Sequence, residues 1–540
     1  MNAEIVNEDM PQKSETARAS RWYLLSFFAL VILAGSVRLV DVWRPVDGTM
    51  RDSWREPDVA GIARNFYQEG MNIFLPRIDW RGDGPGYTES EFPIYPWLVA
   101  CLYHAFGYHE EFLRLVSWFF SMGACLLFFR FSHERLSKLG ALAAAAIFTV
   151  NPLAVRMASA IQPEPLMFLG YLAGVYFFLK WCEGERKLDY WIACAATMLA
   201  ILAKVPALHI GLLFACLCLQ HFGWRSILRR DVWQFVVIAV GVPAAWYAYS
   251  HTLWLGYGNS LGMSNEAFVR ISSGSFVSAL KVTLAGNAAA ELNWIWTTTG
   301  VVAGMIGLLH SLRRRETWWL GYWAIALIAY YVVAGRTTGE GWATHYHIVS
   351  APLAAMLIGL LVSRLPWQRF DLSFLRQLQW RSLITWRQGV VSVAGLLLVA
   401  ATVLQQARLT KWDFHPNQFA ALHSSAVQFR EFVEPGSLIV ASGDGQLDQF
   451  GLQRAFNAPY FFFWMDAKGF TLTDEDQSVE KLEELRDRGA RYFVGERRSL
   501  AKTDGFQEQL RDHFLVLSES DDAILVELRS RGPSRSLSSL

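Results

Sequence analysis

Charge is scarce in this chain. Lys, Arg, Asp and Glu make up 18% of its 540 residues and nearly cancel, to a net +1. That balance gives a nucleic-acid partner no electrostatic support, and a soluble chain carries about a quarter charged residues. Cysteine is also sparse. Cys101, Cys125, Cys182, Cys194, Cys216 and Cys218 all fall in or beside apolar segments, and none lies in the polar C-terminal part. Neither a disulfide framework nor a thiolate metal site follows from them; they read as small hydrophobes packed in a membrane. No small-residue cleavage site follows the apolar run 22–40, which is too long for a signal-peptide core. It reads as a first span that stays, with the polar residues 1–21 as a cytoplasmic tail. No internal repeat is visible.

What the chain does have is apolar and aromatic: 53% hydrophobic residues, 14% aromatic and 23 Trp. A span needs about 20 mostly apolar residues. Eleven segments qualify: 22–40, 112–129, 139–156, 165–181, 188–203, 205–222, 232–250, 294–311, 317–334, 346–363 and 389–406. Basic residues mark the cytoplasmic side. Arg18 and Arg21 precede the first span, and Arg130, Arg135 and Lys138 follow the second. Arg186 and Lys187 follow the fourth, Arg225, Arg229 and Arg230 the sixth, Arg313, Arg314 and Arg315 the eighth, and Arg364 to Arg387 the tenth. All lie on one side only if 92–107 (FPIYPWLVACLYHAFG) is not a span. Its shortness, Pro93, Pro96, His104 and its Trp and Tyr content predict a helix lying at the outer interface. The N-terminus is then inside and the C-terminus outside. The segments 41–111, 251–293, 335–345 and everything after 406 become external.

After residue 406 the character changes. GSLIVASGD and ARYFVGE read as strands, SVEKLEELRDRG as an exposed amphipathic helix and FLVLSESDDAILVELRS as a hairpin. The expected architecture is a polytopic α-helical membrane protein of about 11 transmembrane helices, residues 22–406, with a small extracytoplasmic α/β domain over 407–530. Residues 531–540 read as a disordered tail.

The few charges near span ends stand out, because a charge at mid-membrane costs about 2.5–3.5 kcal/mol. Trp54 to Trp97 of the first outer loop holds eleven of them, among them Asp58, Glu89 and Glu91. Arg114, Arg156, Glu164, Lys204, Arg336, Glu340, His345 and His347 mark outer span ends. Together they suggest an external cavity holding both cations and carboxylates. Plainer readings stand beside this one. Arg114 and Arg156 fit as snorkelling anchors, Glu164 fits the charge preference of a helix N-terminus, and most first-loop carboxylates fit a solvated surface. His345 and His347 flank Tyr346, so at most one faces a given site, and with Glu340 their spacing suits a metal poorly.

The segments PDVAGIARNF, ESEFPIYPWLVACLYHAFG, LRLVS, NPLAVRMASAIQPEPL, LAKVPAL and HYHIVSAPLAA occur in that order over roughly residues 22–365. In order and spacing the chain resembles the GT-C class of glycosyltransferases, membrane enzymes that take sugars from polyprenyl-phosphate carriers. Within that class it is similar to protein O-mannosyltransferases and lipid A aminoarabinose transferases. The resemblance implies that Asp58 acts as the catalytic base, that the second acidic position falls on Glu164, and that Lys204 contacts the carrier phosphate. Two departures concern the acceptor side: Val59 stands where those relatives have a second acidic residue, and EFP replaces a Pro-Pro pair, leaving the part of Glu91 open.

The chemistry asks for the same residue types. Sugar transfer from a lipid phosphate expels a phosphate whose charge needs neutralising, a task for Lys204, with Arg336 or His345 in support. The incoming hydroxyl needs a carboxylate base, and a single displacement inverts the anomeric carbon. Candidate catalytic residues are thus Asp58, Glu91 and Glu164; candidate substrate-binding residues are Lys204, Arg114, Arg336, His345 and Tyr346. Tyr87, Tyr95, Trp97 and Trp342 are further candidates to stack on sugar or line a lipid groove. No cofactor is implied with certainty: Asp58 with Glu164 could bind a divalent cation or act as a base with its orienter, which leaves metal dependence open. The expected partners are a polyprenyl-phosphate sugar, a lipid, glycan or protein hydroxyl, and the membrane, here the bacterial inner membrane. A lipid or solute transporter or flippase is the alternative. Charges gathered at one face rather than at the midplane favour the enzyme. A non-catalytic envelope assembly protein is a third reading.

Overall fold

A computed structural model of the chain describes residues 10–47, 55–261, 276–339, 341–365, 383–412, 419–442 and 459–530. Among the described residues eight helices are long and apolar enough to cross a membrane, and nine if one bent pair counts as a single span. The chain is an integral membrane protein. Every expected span falls on helix, but two lie on shorter ones, Lys187–Ala203 of 17 residues and Trp318–Val333 of 16, so the structure does not return the expected eleven. The apolar stretch Ile94–Phe106 is a separate helix of 13 residues, too short to span the hydrocarbon.

In chain order the part that builds the site runs α1 (Met10–Leu39), α2 (Arg55–Glu69), α3 (Ile94–Phe106), α4 (Glu111–Arg135), α5 (Lys138–Thr149), α6 (Pro152–Arg156), α7 (Glu164–Gly184) and α8 (Lys187–Ala203). The bent pair is α5 with α6, turned by 57°. Pro152 cannot donate into a continuing helix. Asn151 instead starts α6 by accepting from Ala154 N at 3.0 Å, and the carbonyls that α5 leaves open are taken by a buried cation from the first span. Arg38 donates to Thr149 O at 2.9 Å and Phe148 O at 3.1 Å.

Small residues set the helix spacing, as in membrane bundles generally. A Cβ on Gly170 of α7 would stand 2.8 Å from Ala196 O of α8, and one on Gly174 would stand 2.7 Å from the Thr197 hydroxyl. These helices are therefore packed backbone to backbone and antiparallel, which puts the first residue of α7, Glu164, at the same end as Lys204, the residue after α8. There the chain breaks. Lys204 is extended (φ −158°, ψ 124°) before a short 3-10 turn Val205–His209 containing Pro206.

The C-terminal part folds on a five-stranded sheet: β1 (Leu438–Ser442), β2 (Lys468–Leu472), β3 (Ala490–Glu496), β4 (Phe514–Glu519) and β5 (Ala523–Ser530), in the order β2-β1-β3-β5-β4. β1 lies parallel to β2 and β3, and β5 antiparallel to β3 and β4. The helix Val479–Asp487 covers one face with Val479, Leu482 and Leu485. The helix and the strands read from sequence are all present. The short β2 is an addition to that reading.

Candidate active site

Four elements converge where α7 begins and α8 ends. Glu164 opens α7, whose positive end suits a carboxylate. Lys204 follows α8. Glu91 sits in the strand-like segment before α3, fixed by a backbone bond from Phe92 N to Leu202 O of 3.0 Å and by Ser90 N to the Ser250 hydroxyl at 2.9 Å. Arg55 and Asp58 lie in the first turn of α2.

Lys204 Nζ stands 3.0 Å from Glu91 Oε1 and 3.1 Å from Glu164 Oε1. Arg55 takes the other oxygen of Glu91 at 2.5 Å and donates to Leu261 O at 2.8 Å. All four are buried. Burial opposes ionisation of Glu91, but Arg55 and then Lys204 outweigh it and hold its carboxyl at about 2. Burial likewise disfavours the Lys204 ammonium, and Glu164 and Glu91 more than offset it, so the group is held above its ordinary range. Glu91 and Lys204 are thus each held in the charged form by their neighbours. Glu164 Oε2 has no hydrogen-bond partner among the described residues.

Tyr346 and His345 arrive from the 3-10 stretch Gly341–Ser350. The Tyr346 ring lies under Lys204 Nζ at 5.2 Å from its centroid, and His345 Nε2 is 3.8 Å from Glu164 Oε1. Lys204, Arg55 and Arg156 are all close enough to act electrostatically on His345.

Asp58 borders this cluster, and its charge acts on Arg55 together with those of Glu91 and Glu164. Its carboxylate is buried. Oδ1 accepts the Trp80 indole N–H at 2.7 Å, and Oδ2 has no hydrogen-bond partner among the described residues. Burial pushes the carboxyl up to about 7, against the pull of Arg55 and Trp80, and Asp79 adds to the rise. A carboxylate in that range, with one oxygen oriented and one open, is equipped to take a proton from a hydroxyl near neutral pH.

The structure separates other candidates from the cluster. Arg114 is fully engaged elsewhere: two bonds to Glu56 at 3.2 and 3.1 Å, and others to the carbonyls of Arg44, Pro45 and Ser159. Glu56 in turn accepts from Ile161 N at 3.0 Å. This buried pair ties the first loop to α4 and the turn after α6. Tyr95 is packed inside and donates to Leu113 O at 2.6 Å, Trp97 donates to Met71 O, and Tyr87 carries the Arg77 guanidinium on its face. Arg156 lies over Trp294 and stays within electrostatic reach of His345 at the edge of the cluster. Arg336 belongs to the short helix Gly335–Thr338, but its side chain, like that of Trp342, lies outside the described residues, as does Glu340.

Three residues were missed. Arg55 and Trp80 sit among the other first-loop charges. Glu291, in a π-helical turn Glu291–Trp296, accepts from Tyr331 at 2.5 Å, Trp296 at 2.8 Å and Ser350 at 2.8 Å and meets His347 Nδ1 at 2.7 Å. That contact turns His347 away from Lys204 while His345, two residues earlier, faces it. Among the described residues no three His, Cys, Asp or Glu side chains converge as a metal set. Asp58 and Glu164, the two carboxylates a divalent ion would start from, both face the charge of Arg55.

This arrangement of helices, first-loop helix and terminal sheet is the GT-C fold of membrane glycosyltransferases. Residues 88–249, which include Glu91, Arg114, Glu164 and Lys204 but not Asp58, match the family described as "Dolichyl-phosphate-mannose-protein mannosyltransferase". No curated protein matches the chain. Among solved structures, ArnT from Cupriavidus metallidurans bound to undecaprenyl phosphate aligns with TM-score 0.58 and 15% identity, over 95% of this chain and 100% of that one. The archaeal oligosaccharyltransferase AglB from Archaeoglobus fulgidus, in complex with an inhibitory peptide and a dolichol-phosphate, aligns with TM-score 0.52 and 12% identity over 93% and 73%. The arabinofuranosyltransferase AftD from Mycobacteria gives TM-score 0.52 and 13% identity, over 95% of this chain and 40% of that one.

Proposed function

We propose that the chain is an inverting glycosyltransferase that moves a sugar from a polyprenyl-phosphate carrier to a hydroxyl acceptor at the outer face of a membrane, the bacterial inner membrane. The observation that carries this reading is one buried site in which a half-open carboxylate, Asp58, lies beside a buried pair of cations, Lys204 and Arg55. Asp58 Oδ2 takes the proton of the acceptor hydroxyl, whose oxygen attacks the anomeric carbon. The bond from that carbon to the phosphate oxygen breaks, and the electron pair leaves with polyprenyl phosphate. Lys204 and Arg55 meet the charge growing on that oxygen, where a water-poor site makes such contacts count most. The phosphate reaches Lys204 by displacing one of its two carboxylates. Glu91 and Glu164 keep the ammonium charged and aimed until then. His345 and Tyr346 border the same point, and Arg336 is the nearby residue proposed to add a third cation.

Placing the site at helix ends suits a donor with an apolar tail, which arrives sideways from the lipid. The family match and the undecaprenyl phosphate in the ArnT structure support a donor of this class. The test is to supply purified protein with polyprenyl-phosphate sugars and follow release of polyprenyl phosphate on adding lipid, glycan or peptide hydroxyl acceptors. Acceptor-dependent release with an inverted product supports the reading. Donor that is carried across vesicles but never cleaved would replace it with a flippase.

A further inference from the structure

We infer that the C-terminal sheet domain is a positioning element for the proposed base, acting on Asp58 through Asp466, Arg64, Asp79 and Trp80. The inference rests on the reading of Asp58 as base and adds a part for a domain that lies outside the residues matched by the family. Its starting point is a buried arginine at the seam between the domain and α2. Arg64 is 3% exposed. Its guanidinium donates to Asp79 Oδ2 at 2.8 Å on the first-loop side, and on the domain side it donates to Phe463 O at 3.0 Å and pairs with Asp466 Oδ1 at 2.7 Å. A guanidinium buried at such a seam loses hydration that these partners replace at its two terminal nitrogens, so removing any one of them is felt by the rest.

Asp79 is held at two further points, and a third bond ties the same loop to Gly469. Its second carboxylate oxygen accepts from Asn65 Nδ2 at 2.8 Å. Its carbonyl accepts from Gly469 N of β2 at 3.1 Å, and Gly82 N returns a bond to Gly469 O at 2.7 Å. Residues 79–82 thus dock by two backbone bonds on Gly469 of the edge strand β2, which fixes where the loop sits. Glycine is required at both ends of the contact. A Cβ on Gly61 of α2 would stand 2.5 Å from Asp79 Oδ2, and Gly469 has φ 150° with Ile439 O 1.9 Å from where its Cβ would be. Trp80 is the next residue after Asp79, and its indole is the one side-chain donor to Asp58 among the described residues. With Asp79 clamped on side chain and backbone, Trp80 and therefore Asp58 Oδ1 have little freedom. A seam that merely attached the domain would need no such chain leading to the reacting carboxylate.

Asp466 is the place to cut. It is on the surface of the seam, and its left-handed backbone (φ 51°) is one that asparagine adopts readily. Asp466→Asn therefore keeps the turn while weakening the hold on Arg64. Misplacing a catalytic group by about 1 Å costs up to ~100-fold in rate. The expected result is about a tenfold fall in kcat for Asp466→Asn, with KM for the polyprenyl-phosphate sugar unchanged because Lys204 and Arg55 are untouched. Trp80→Phe lowers kcat at least as far, and the double variant is no slower than Trp80→Phe alone, since Asp466 acts through Trp80. Losses that simply multiply, or an Asp466→Asn enzyme with the parent's kcat, overturn the inference. The reading beneath it fails separately: transfer retained by Asp58→Asn removes the base itself, whereas an inactive Asp58→Asn beside a fully active Asp466→Asn removes only the positioning chain.

Discussion

Trp80 gives its indole N–H to one oxygen of Asp58 at 2.7 Å, and the other oxygen of that buried carboxylate has no partner among the described residues. Burial lifts the carboxyl to about 7, and Trp80 and Arg55 limit the rise. A base works in its ionised form, so the rate climbs with pH up to that value and levels above it. The expected kcat/KM profile has an acid limb of about tenfold per pH unit ending near pH 7. Trp80→Phe removes a donor that favours the anion and moves the limb to higher pH. A profile flat from about pH 5 to 8 contradicts the assignment.

The same shift has a sign for stability. The folded carboxyl holds its proton up to about 7, against 3.8 for an ordinary aspartate. Between those values the folded state binds the proton more tightly than the unfolded chain, so ionised Asp58 opposes folding above pH 7. Asp58→Asn is accordingly expected to melt a few degrees higher than the parent at about pH 7.5, with a difference that shrinks as pH falls below 7. Thermal unfolding in detergent at two pH values checks this.

Lys204 neutralises two buried carboxylates at once. Lys204→Met leaves Glu91 and Glu164 facing each other without it, and breaking a buried ion pair from one side costs about 3–5 kcal/mol. The variant is expected to lose both folded yield and polyprenyl-phosphate binding. Adding Glu164→Gln recovers yield and not binding, which separates the structural from the ligand-contacting part of Lys204.

Arg114 serves the frame. Its two bonds to Glu56 and three to carbonyls join the loop, α4 and the turn after α6. Arg114→Ala is expected to lower stability by about 3–5 kcal/mol, seen as early unfolding in detergent. The protein that remains folded keeps the parent's KM for the donor. A raised KM with normal stability would instead return Arg114 to the substrate.

Much of this was legible in the sequence. Charges are costly in a span, so Glu164 and Lys204 stood out at helix ends, and the prolines and aromatic content of 92–107 separated α3 from the spans. The strands and the helix of the terminal domain followed from alternation and amphipathicity. What could not be read were partnerships across long separations. Arg55 reaches Glu91 and Leu261, 36 and 206 residues away. One signal was available: a cation in the first turn of a helix is disfavoured by the helix dipole, so Arg55 there points to a partner elsewhere. The buried pairing of Arg114 with Glu56 was likewise not legible, because Glu56 was one of eleven charges in its loop and nothing local set it apart. Glu291 gains its role from a π-helical turn that periodicity does not reveal, and β2 is too short to announce itself.

Orientation is open to direct measurement. A reporter fused after Leu540 should be active outside the cytoplasm, and cysteines placed in the loop holding Arg313 to Arg315 should be shielded from an impermeant label added to whole cells. A cytoplasmic C-terminal reporter contradicts the assignment of the site to the outer face.

The central claim is that Asp58 deprotonates the acceptor. Purified parent, Asp58→Asn and Asp58→Glu proteins, each checked for folding by its melting curve, would be given a polyprenyl-phosphate sugar and acceptor, and release of polyprenyl phosphate followed over a single turnover. Asp58→Asn is expected to bind donor normally and release polyprenyl phosphate less than about a thousandth as fast, with Asp58→Glu partly active. Release at the parent's rate by Asp58→Asn would contradict the claim.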